Sequence, residues 1–455
     1  MAPLEFEPTV GAKTETQIYK EPEATVVGTN QSGKLRANYG VIGLVALPLL
    51  VVGVLLAQAR SMADVITEDD HLEARLEQAK QKGLILDPRP FYTTGVADAD
   101  NAFIPLNQHF LIDDPKFDLA RNEVFSEKQI DSPSMSDELK TLVGYAKLVA
   151  ARSRFSPQSA ATKPLSLRAQ DYTAHESDRK VFGAMKLAAR VLAYDAQFKA
   201  RHGDREGALE SLLEVRKLAA IFTEIQSSTA MLVGITLQGL ADQAGRKIAH
   251  YANDDPKTLR KLTEIVSVEV PTLSHLELVR FDYALRSTTL RDTDQAVTEV
   301  PKSIVKRSAL SLLTDYYLKK TTILEQERDP VVAQAKIDEL NGATSPKLST
   351  TLNVDVGAEA KQIIVAPSRS AARRMLSLWV IELEGKYKGN WPEKLPPRND
   401  KAYGGKLIHR KTDDGFTVYS NGPNRRDDGG VAKYDADGTP LSDDVFVNHR
   451  TVQKS

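Results

Sequence analysis

The sequence contains no cysteine, and this absence removes several kinds of chemistry. Disulfide bonds, thiolate nucleophiles and cysteine-ligated zinc or iron–sulfur centres are all excluded. If the folded part of the chain is exported, its loops must be held by packing or by metal ions rather than by covalent links.

An excess of charge of one sign is also lacking. The 60 lysines and arginines nearly balance the 61 aspartates and glutamates, which leaves a formal net charge of −1. No basic patch with interleaved aromatic residues is present, so we expect no nucleic-acid partner. The composition, 41% hydrophobic and 27% charged in 455 residues, indicates a globular protein with about two or three domains.

Recognisable catalytic motifs are missing from the sequence. The eight histidines are scattered, and none forms the His-x-x-x-His or His-Glu-x-x-His spacing of a zinc site. There is no Gly-x-Ser-x-Gly, Walker A or dinucleotide-binding fingerprint. We therefore expect a protein without catalytic activity, with an unrecognised hydrolase as the alternative among enzymes.

Charged residues are absent from one long stretch, residues 37–59, which reads ANYGVIGLVALPLLVVGVLLAQA. As a helix this stretch would measure ~34 Å, enough to cross a hydrocarbon core of about 30 Å. Its glycines and proline are tolerated in membrane spans. The prediction is one transmembrane helix that serves as an uncleaved signal anchor. A cleaved signal peptide ending at Ala57-Gln58-Ala59 and a buried core helix are the alternatives.

The basic residues around this stretch set its expected orientation. Lys20, Lys34 and Arg36 precede it, whereas Arg60 and Arg75 follow it. Because basic residues favour the cytoplasmic side, we expect a cytoplasmic N-terminus in the inner membrane. The large C-terminal part would then be periplasmic and would meet protein partners in the envelope.

The rest of the chain predicts a mainly α fold with a small C-terminal α+β unit that contains an antiparallel sheet. Helical periodicity dominates the middle of the sequence. The predicted segments are a disordered tail over 1–36, the span over 37–59, a helix and linker region over 60–135, an α-helical domain over 136–345, a linker over 346–365 and the α+β unit over 366–455.

One pair of helices in the middle domain forms a recognisable hairpin. Two amphipathic stretches are joined at residues 201–204, where Gly203 is a candidate C-cap and Asp204 a candidate N-cap. The pair resembles one tetratricopeptide-type unit. Because no second copy follows and a solenoid needs about three repeats, we expect a helical bundle that carries a single repeat-like hairpin.

The C-terminal unit begins with an amphipathic helix, SRSAARRMLSLWVIELEGKY, and continues into strand-like residues 406–411 and 416–420. The order of this helix, GKYKGNWPEKL, YGGKLIHRKTDDGFTVYSNGPNRRDDGG and DDV resembles the C-terminal half of the major pseudopilins of type II secretion. The helical region before it resembles large anchored envelope proteins of bacteria.

The pseudopilin resemblance implies a calcium-binding acidic loop after the second strand. Carried onto this sequence, it implies a set of Ca²⁺ ligands made up of Ser420, Asp427, Asp428, Asp443 and Asp444. Asp435 and Asp437 lie in an insertion relative to the family's loop. Calcium prefers about six to eight oxygen ligands, many of them carboxylates. The alternative is a solvated turn in which Arg425, Arg426 and Lys433 act as counter-charges.

The sequence thus predicts a non-catalytic, single-pass membrane-anchored envelope protein. It would act as a scaffold or component of a secretion or pilus-like system, with a calcium-stabilised C-terminal unit. The alternative is an adaptor whose helical bundle binds a protein or peptide, while the C-terminal unit is purely structural.

Overall fold

The computed structural model describes residues 71–87, 96–111, 114–125, 130–154, 174–222, 228–270, 272, 274–288, 290, 299–352, 364–412, 415–430 and 445–450. The chain divides into two compact units, Met1–Met62 and Ala63–Ser455, and all of the described residues belong to the second. The predicted tail over 1–36 and the predicted span over 37–59 lie outside the described residues.

Most of the described residues are helical. In chain order the α-helices are α1 (Leu72–Gln81), α2 (Phe103–His109), α3 (Asp118–Phe125), α4 (Asp137–Ala150), α5 (Ala174–Arg201), α6 (Arg205–Ile221), α7 (Ser228–Tyr251), α8 (Pro256–Ser267), α9 (His275–Thr288), α10 (Ile304–Gln326), α11 (Pro330–Leu352) and α12 (Ala366–Tyr387). This confirms a mainly α fold. Within the described ranges, no helix combines the length and apolar character that crossing a membrane requires.

Local capping explains where several helices begin and end. The Ser136 hydroxyl accepts a hydrogen bond from the Leu139 amide at the start of α4. At the α5–α6 hairpin, Gly203 has a φ of +84°, and the Asp204 carboxylate accepts a bond from the Gly207 amide. A φ of this sign favours glycine. The predicted hairpin and its caps are therefore confirmed.

Helix α7 lies at the centre of the main bundle. It packs against α5, α6, α8 and α12, and its apolar residues Val233, Leu237, Ala244 and Ile248 are almost fully buried. Burying apolar surface contributes roughly 25 cal/mol per Å², so this helix and its neighbours supply most of the core of the bundle.

A second core joins α1 to α9 and α10 and is rich in tyrosine. Tyr283 and Tyr317 are fully buried, and their rings lie 5.4 Å apart. The buried hydroxyl of Tyr316 donates to Oδ1 of Asn341 on α11 at 2.7 Å. Buried phenol groups need such partners, and this bond attaches α11 to the core.

Helix α11 extends further than the sequence pattern indicates. It reaches Leu352, so residues 346–352 are helical although the sequence predicts a linker from 346. Ala333 and Ile337, in its first half, are buried. Packing of this kind can override the weak helix propensity of a Gly- and Pro-containing segment.

The sheet of the C-terminal unit has four antiparallel strands in sequential order. They are β1 (Arg398–Asn399), β2 (Lys406–Thr412), β3 (Gly415–Ser420) and β4 (Val445–Arg450). Val418 pairs with His409 on one side and Val447 on the other. The predicted strands over 406–411 and 416–420 are confirmed, and β1 and β4 are additions to them.

Helix α12 joins the sheet to the helical bundle. Its residues Leu376, Trp379 and Val380 belong to the core that it shares with the sheet. Ile381, on another face, belongs to the core of the bundle. One helix therefore serves two cores, and the C-terminal unit is packed directly onto α7 and α8.

Candidate functional site

Ser420, the first of the predicted calcium ligands, is fully buried at the end of β3. Its hydroxyl donates to Oδ2 of Asp400 and accepts a hydrogen bond from the Gly422 amide at 3.1 Å. Both the proton and one lone pair of the hydroxyl are therefore used within the protein. The geometry gives Ser420 a structural role at the start of the acidic loop.

Asp400, the partner of Ser420, was not identified from the sequence. Its buried carboxylate also accepts from the backbone amides of Ala402 and Tyr403, at 2.8 and 3.1 Å. These bonds shape the turn between β1 and β2 and tie it to the end of β3. The local signal was an aspartate two residues before Ala-Tyr-Gly-Gly, because aspartate commonly bonds to the amide two residues on.

The acidic loop folds over the ring of Tyr419. The Tyr419 hydroxyl donates to Oδ1 of Asp427 at 3.1 Å, and the same oxygen accepts from the Gly429 amide at 2.9 Å. Gly430 has a φ of +65°, and a Cβ at this position would come 2.5 Å from the Tyr419 ring. The glycine is therefore required both for its backbone conformation and for this close approach.

Asp428, the next predicted ligand, accepts a hydrogen bond from the side-chain amide of Asn424 at 2.9 Å. The hydrogen bonds from the Tyr419 hydroxyl and the Gly429 amide both end on Oδ1 of Asp427, so neither of them uses Oδ2. Asp443 and Asp444 lie outside the described residues. Within the described ranges, no three His, Asp or Glu side chains are grouped so as to hold a metal ion.

A line of polar residues runs along one face of the central helix α7. These residues recur at every fourth position, and we call them the α7 polar ladder: Gln238, Asp242, Arg246 and His250. Residues four apart share one face of an α-helix. In a helix at the centre of a bundle, such a face must find polar partners, because an unsatisfied buried polar group is costly.

Two residues of the α7 polar ladder form hydrogen bonds with serines of α12. The Ser370 hydroxyl lies 3.4 Å from Oε1 of Gln238 and donates to it. The Arg246 guanidinium donates to the fully buried Ser377 hydroxyl at 2.6 Å. Burial lowers the pKa of Arg246 to about 10, against the opposing attraction of Asp242, so the guanidinium stays charged at neutral pH. These contacts fix the register of α12 against α7.

His250, the last residue of the α7 polar ladder, lies beside a buried carboxylate. Glu384 of α12 is fully buried; one of its oxygens accepts from the indole N–H of Trp391 at 3.1 Å. The other oxygen lies 3.6 Å from Nδ1 of His250. This bridge links α7, α12 and the chain that leads into the sheet. Its sequence signal is the spacing of seven residues from Ser370 to Ser377 to Glu384.

Asp242 forms the electrostatic centre of the ladder. Its Oδ1 accepts from the Arg216 guanidinium of α6 at 3.1 Å, and the second terminal nitrogen of Arg216 donates to the carbonyls of Val266 and Val268. Burial raises the pKa of the Asp242 carboxyl to about 6, although the nearby arginines, Arg216 among them, favour its ionised form. The pair holds α6, α7 and the end of α8 together.

An open cleft of about 720 Å³ lies between α12 and the β1 end of the sheet. Its lining combines apolar and basic side chains, which are Ala371, Arg374, Met375, Leu378, Pro397, Arg398, Asn399, Lys401, Ala402 and Lys406. A second cleft, of about 430 Å³, adjoins it between α8 and α12 and shares Leu378 and Arg398 with it.

The buried carboxylates of this region have fixed partners, which suits them for holding helices and turns in place. The Asp400 carboxylate accepts hydrogen bonds from the Ser420 hydroxyl and the Ala402 amide. The Asp242 carboxylate accepts a bond from Arg216 and lies near further arginines. The cleft beside them offers cations to a ligand from outside.

Comparison of the chain with family models, with curated proteins and with solved structures finds no match.

Proposed function

We propose that this chain is a non-catalytic, single-pass membrane-anchored envelope protein that acts as a scaffold in a secretion or pilus-like assembly. Its N-terminus would be cytoplasmic and its large C-terminal part periplasmic. The span is the uncharged run over 37–59, whose length matches a bilayer core. The acidic loop of the C-terminal unit would bind Ca²⁺ through Asp427, Asp428, Asp443 and Asp444.

The observation that carries the scaffold proposal is the α7 polar ladder against α12. Arg246 bonds to Ser377, and His250 faces the buried Glu384. Polar contacts of this kind in an otherwise apolar interface favour one alignment of two helices over others. The C-terminal unit is therefore held in a fixed position on the bundle, as a scaffold that presents a surface to a partner requires.

The ionisable groups in the interior support the same proposal. Asp242 faces Arg216, and Glu384 faces His250 and Trp391. A general base or nucleophile needs access to a substrate, whereas these groups lie between packed helices. Their arrangement is what a structural role demands.

Protease accessibility tests the membrane orientation. The full-length protein with a C-terminal epitope tag is expressed in cells, and spheroplasts are treated with proteinase K. We expect the tag to disappear from intact spheroplasts, while a cytoplasmic control protein stays whole. Loss of the tag only after the inner membrane has been lysed would contradict the proposed orientation.

Affinity purification from solubilised inner membranes tests the scaffold role. The matched control carries residues 1–62 fused to an unrelated soluble domain, so it shares the anchor and lacks the folded part. We expect envelope assembly components to be enriched with the full chain and not with the control. Equal recovery of these components with both baits would contradict the scaffold proposal.

A further inference from the structure

The cleft between α12 and β1 has basic walls and an apolar floor. Met375 and Leu378 of α12 form part of the floor, and both are partly exposed. Its volume of about 720 Å³ falls within the roughly 300–1,000 Å³ range of ligand-binding pockets. The cleft can therefore contact both an apolar group and a charged one.

Four cations line this cleft, and no carboxylate belongs to the described residues of its lining. Arg374 lies 2.6 Å from Glu269 of the α8–α9 connection, and Arg398 lies 2.5 Å from Glu382. Each of these arginines is thus held in position by an acid outside the cleft.

The two lysines supply the uncompensated charge. Lys401 and Lys406 are exposed at the two ends of the β1–β2 turn, and Nζ of Lys406 donates to the neutral side chain of Asn399 at 2.6 Å. Asn399 is neutral, so it leaves the charge of Lys406 uncancelled, and Lys401 is exposed to solvent. A negatively charged ligand gains from both lysines on entering the cleft.

The backbone at the cleft suits an extended ligand. β1 is the edge strand of the sheet, and it pairs with β2 only through Arg398 and Asn399. Edge strands offer backbone groups to a further strand, and extended peptides use them in β-strand addition. Side chains that alternate along such a peptide would point in turn toward the apolar floor and toward the cations.

We propose that this cleft binds an extended acidic peptide segment of a partner protein, in which carboxylates alternate with apolar side chains. The carboxylates face Lys401, Lys406 and the two arginines, and the apolar side chains cover Met375 and Leu378. The peptide adds beside β1. Charge complementarity and the edge strand favour a peptide over an anionic lipid headgroup, because a headgroup cannot form strand pairing with the backbone of β1.

Fluorescence anisotropy with a labelled peptide, Val-Asp-Val-Glu-Val, tests the proposal on the full-length protein in a neutral detergent. The isosteric peptide Val-Asn-Val-Gln-Val is the ligand control. The double variant Lys401→Glu/Lys406→Glu is compared with Lys394→Glu/Lys411→Glu, which makes the same charge change in the same unit outside the cleft. We expect the cleft variant to weaken binding by about tenfold and the control variant by less than about twofold.

Several results would overturn the proposal. Equal weakening by the two double variants would indicate a non-specific charge effect, and equal binding of the neutral peptide would remove the role of the carboxylates. Glycerophosphoglycerol, the water-soluble headgroup of phosphatidylglycerol, tests the lipid alternative by calorimetry: binding of this headgroup without binding of the peptide would assign the cleft to a headgroup. Because the protein is purified, none of these results depends on its orientation in the membrane.

Discussion

Arg216 of α6 and Asp242 of α7 form a buried ion pair, with Nη1 and Oδ1 3.1 Å apart and both side chains less than a tenth exposed. Removing one member of such a pair leaves the other charge buried without its counter-ion. We expect Asp242→Ala to lower the free energy of unfolding by about 3–5 kcal/mol. Urea denaturation of the full-length protein in a neutral detergent, followed by circular dichroism, measures the loss.

The double variant Arg216→Met/Asp242→Leu separates lost charge from lost packing. Because it removes both charges and keeps apolar volume, it should recover much of the stability that Asp242→Ala loses. If the double variant loses as much stability as the single variants Arg216→Met and Asp242→Leu lose together, the pair is not the cause of the destabilisation.

The same carboxyl group makes stability depend on pH. Burial raises the pKa of Asp242 from 3.8 to about 6 in the folded chain, so the folded state binds this proton more tightly. Its contribution to stability is fully present below the unfolded pKa and is lost as the pH rises through about 6. We therefore expect Asp242→Asn to become more stable relative to the unmodified protein, by about 2–3 kcal/mol, between pH 4 and pH 7.

Denaturation of both proteins across this pH range checks the prediction. Every other titrating group is common to the two, so their difference isolates Asp242. A difference that stays constant, or that moves the other way, would show that the nearby arginines outweigh burial and keep the folded pKa near or below 3.8.

The Ser420 hydroxyl is expected to stabilise the turn before the acidic loop. Ser420→Ala removes one donor to Asp400 and the acceptor of the Gly422 amide, both of them buried. Unsatisfied buried groups cost about 1–3 kcal/mol, and the measurement is again the free energy of unfolding. Ser267→Ala is the matched control, because its exposed hydroxyl bonds only to the Glu264 carbonyl. A change in the control as large as in Ser420→Ala would argue against the role of Asp400.

Calcium should stabilise the folded chain if the acidic loop binds it. We expect the melting temperature of the full-length protein to rise by a few degrees in millimolar Ca²⁺ relative to a chelator, because a ligand that binds only the folded state stabilises it. The variants Asp427→Asn/Asp428→Asn and Asp443→Asn/Asp444→Asn should each lose this rise.

Asp435→Asn/Asp437→Asn is the matched control for calcium, since it makes the same change in the same loop at residues that the pseudopilin resemblance places in an insertion. It should keep the response. Identical melting temperatures in Ca²⁺ and in chelator would exclude the metal site.

Features that depend on neighbouring residues could be predicted from the sequence. The α5–α6 hairpin is one example, because Gly203 and Asp204 are sufficient to end one helix and start the next. The strand-like residues 416–420 likewise predicted β3. Helix α11 is a counter-example: it continues to Leu352 although the glycine and proline of this segment have low helix propensity.

The candidate site was less accessible to this reasoning. The sequence pointed to Ser420 and to acidic residues after it, yet the carboxylate that Ser420 meets belongs to Asp400, 20 residues earlier. Nothing local distinguishes Asp400 from other turn aspartates, because its buried role depends on how β1 and β3 are brought together.

The sequence by itself determined most of the helices, the caps of the α5–α6 hairpin and the strands β2 and β3, since periodicity and capping act over a few residues. Only the tertiary structure decided the partners of the α7 polar ladder. The four-residue spacing from Gln238 to His250 is visible in the sequence, whereas Ser377 lies 131 residues from Arg246. Burial then made that pairing necessary, because a charged group between packed helices must have a polar partner.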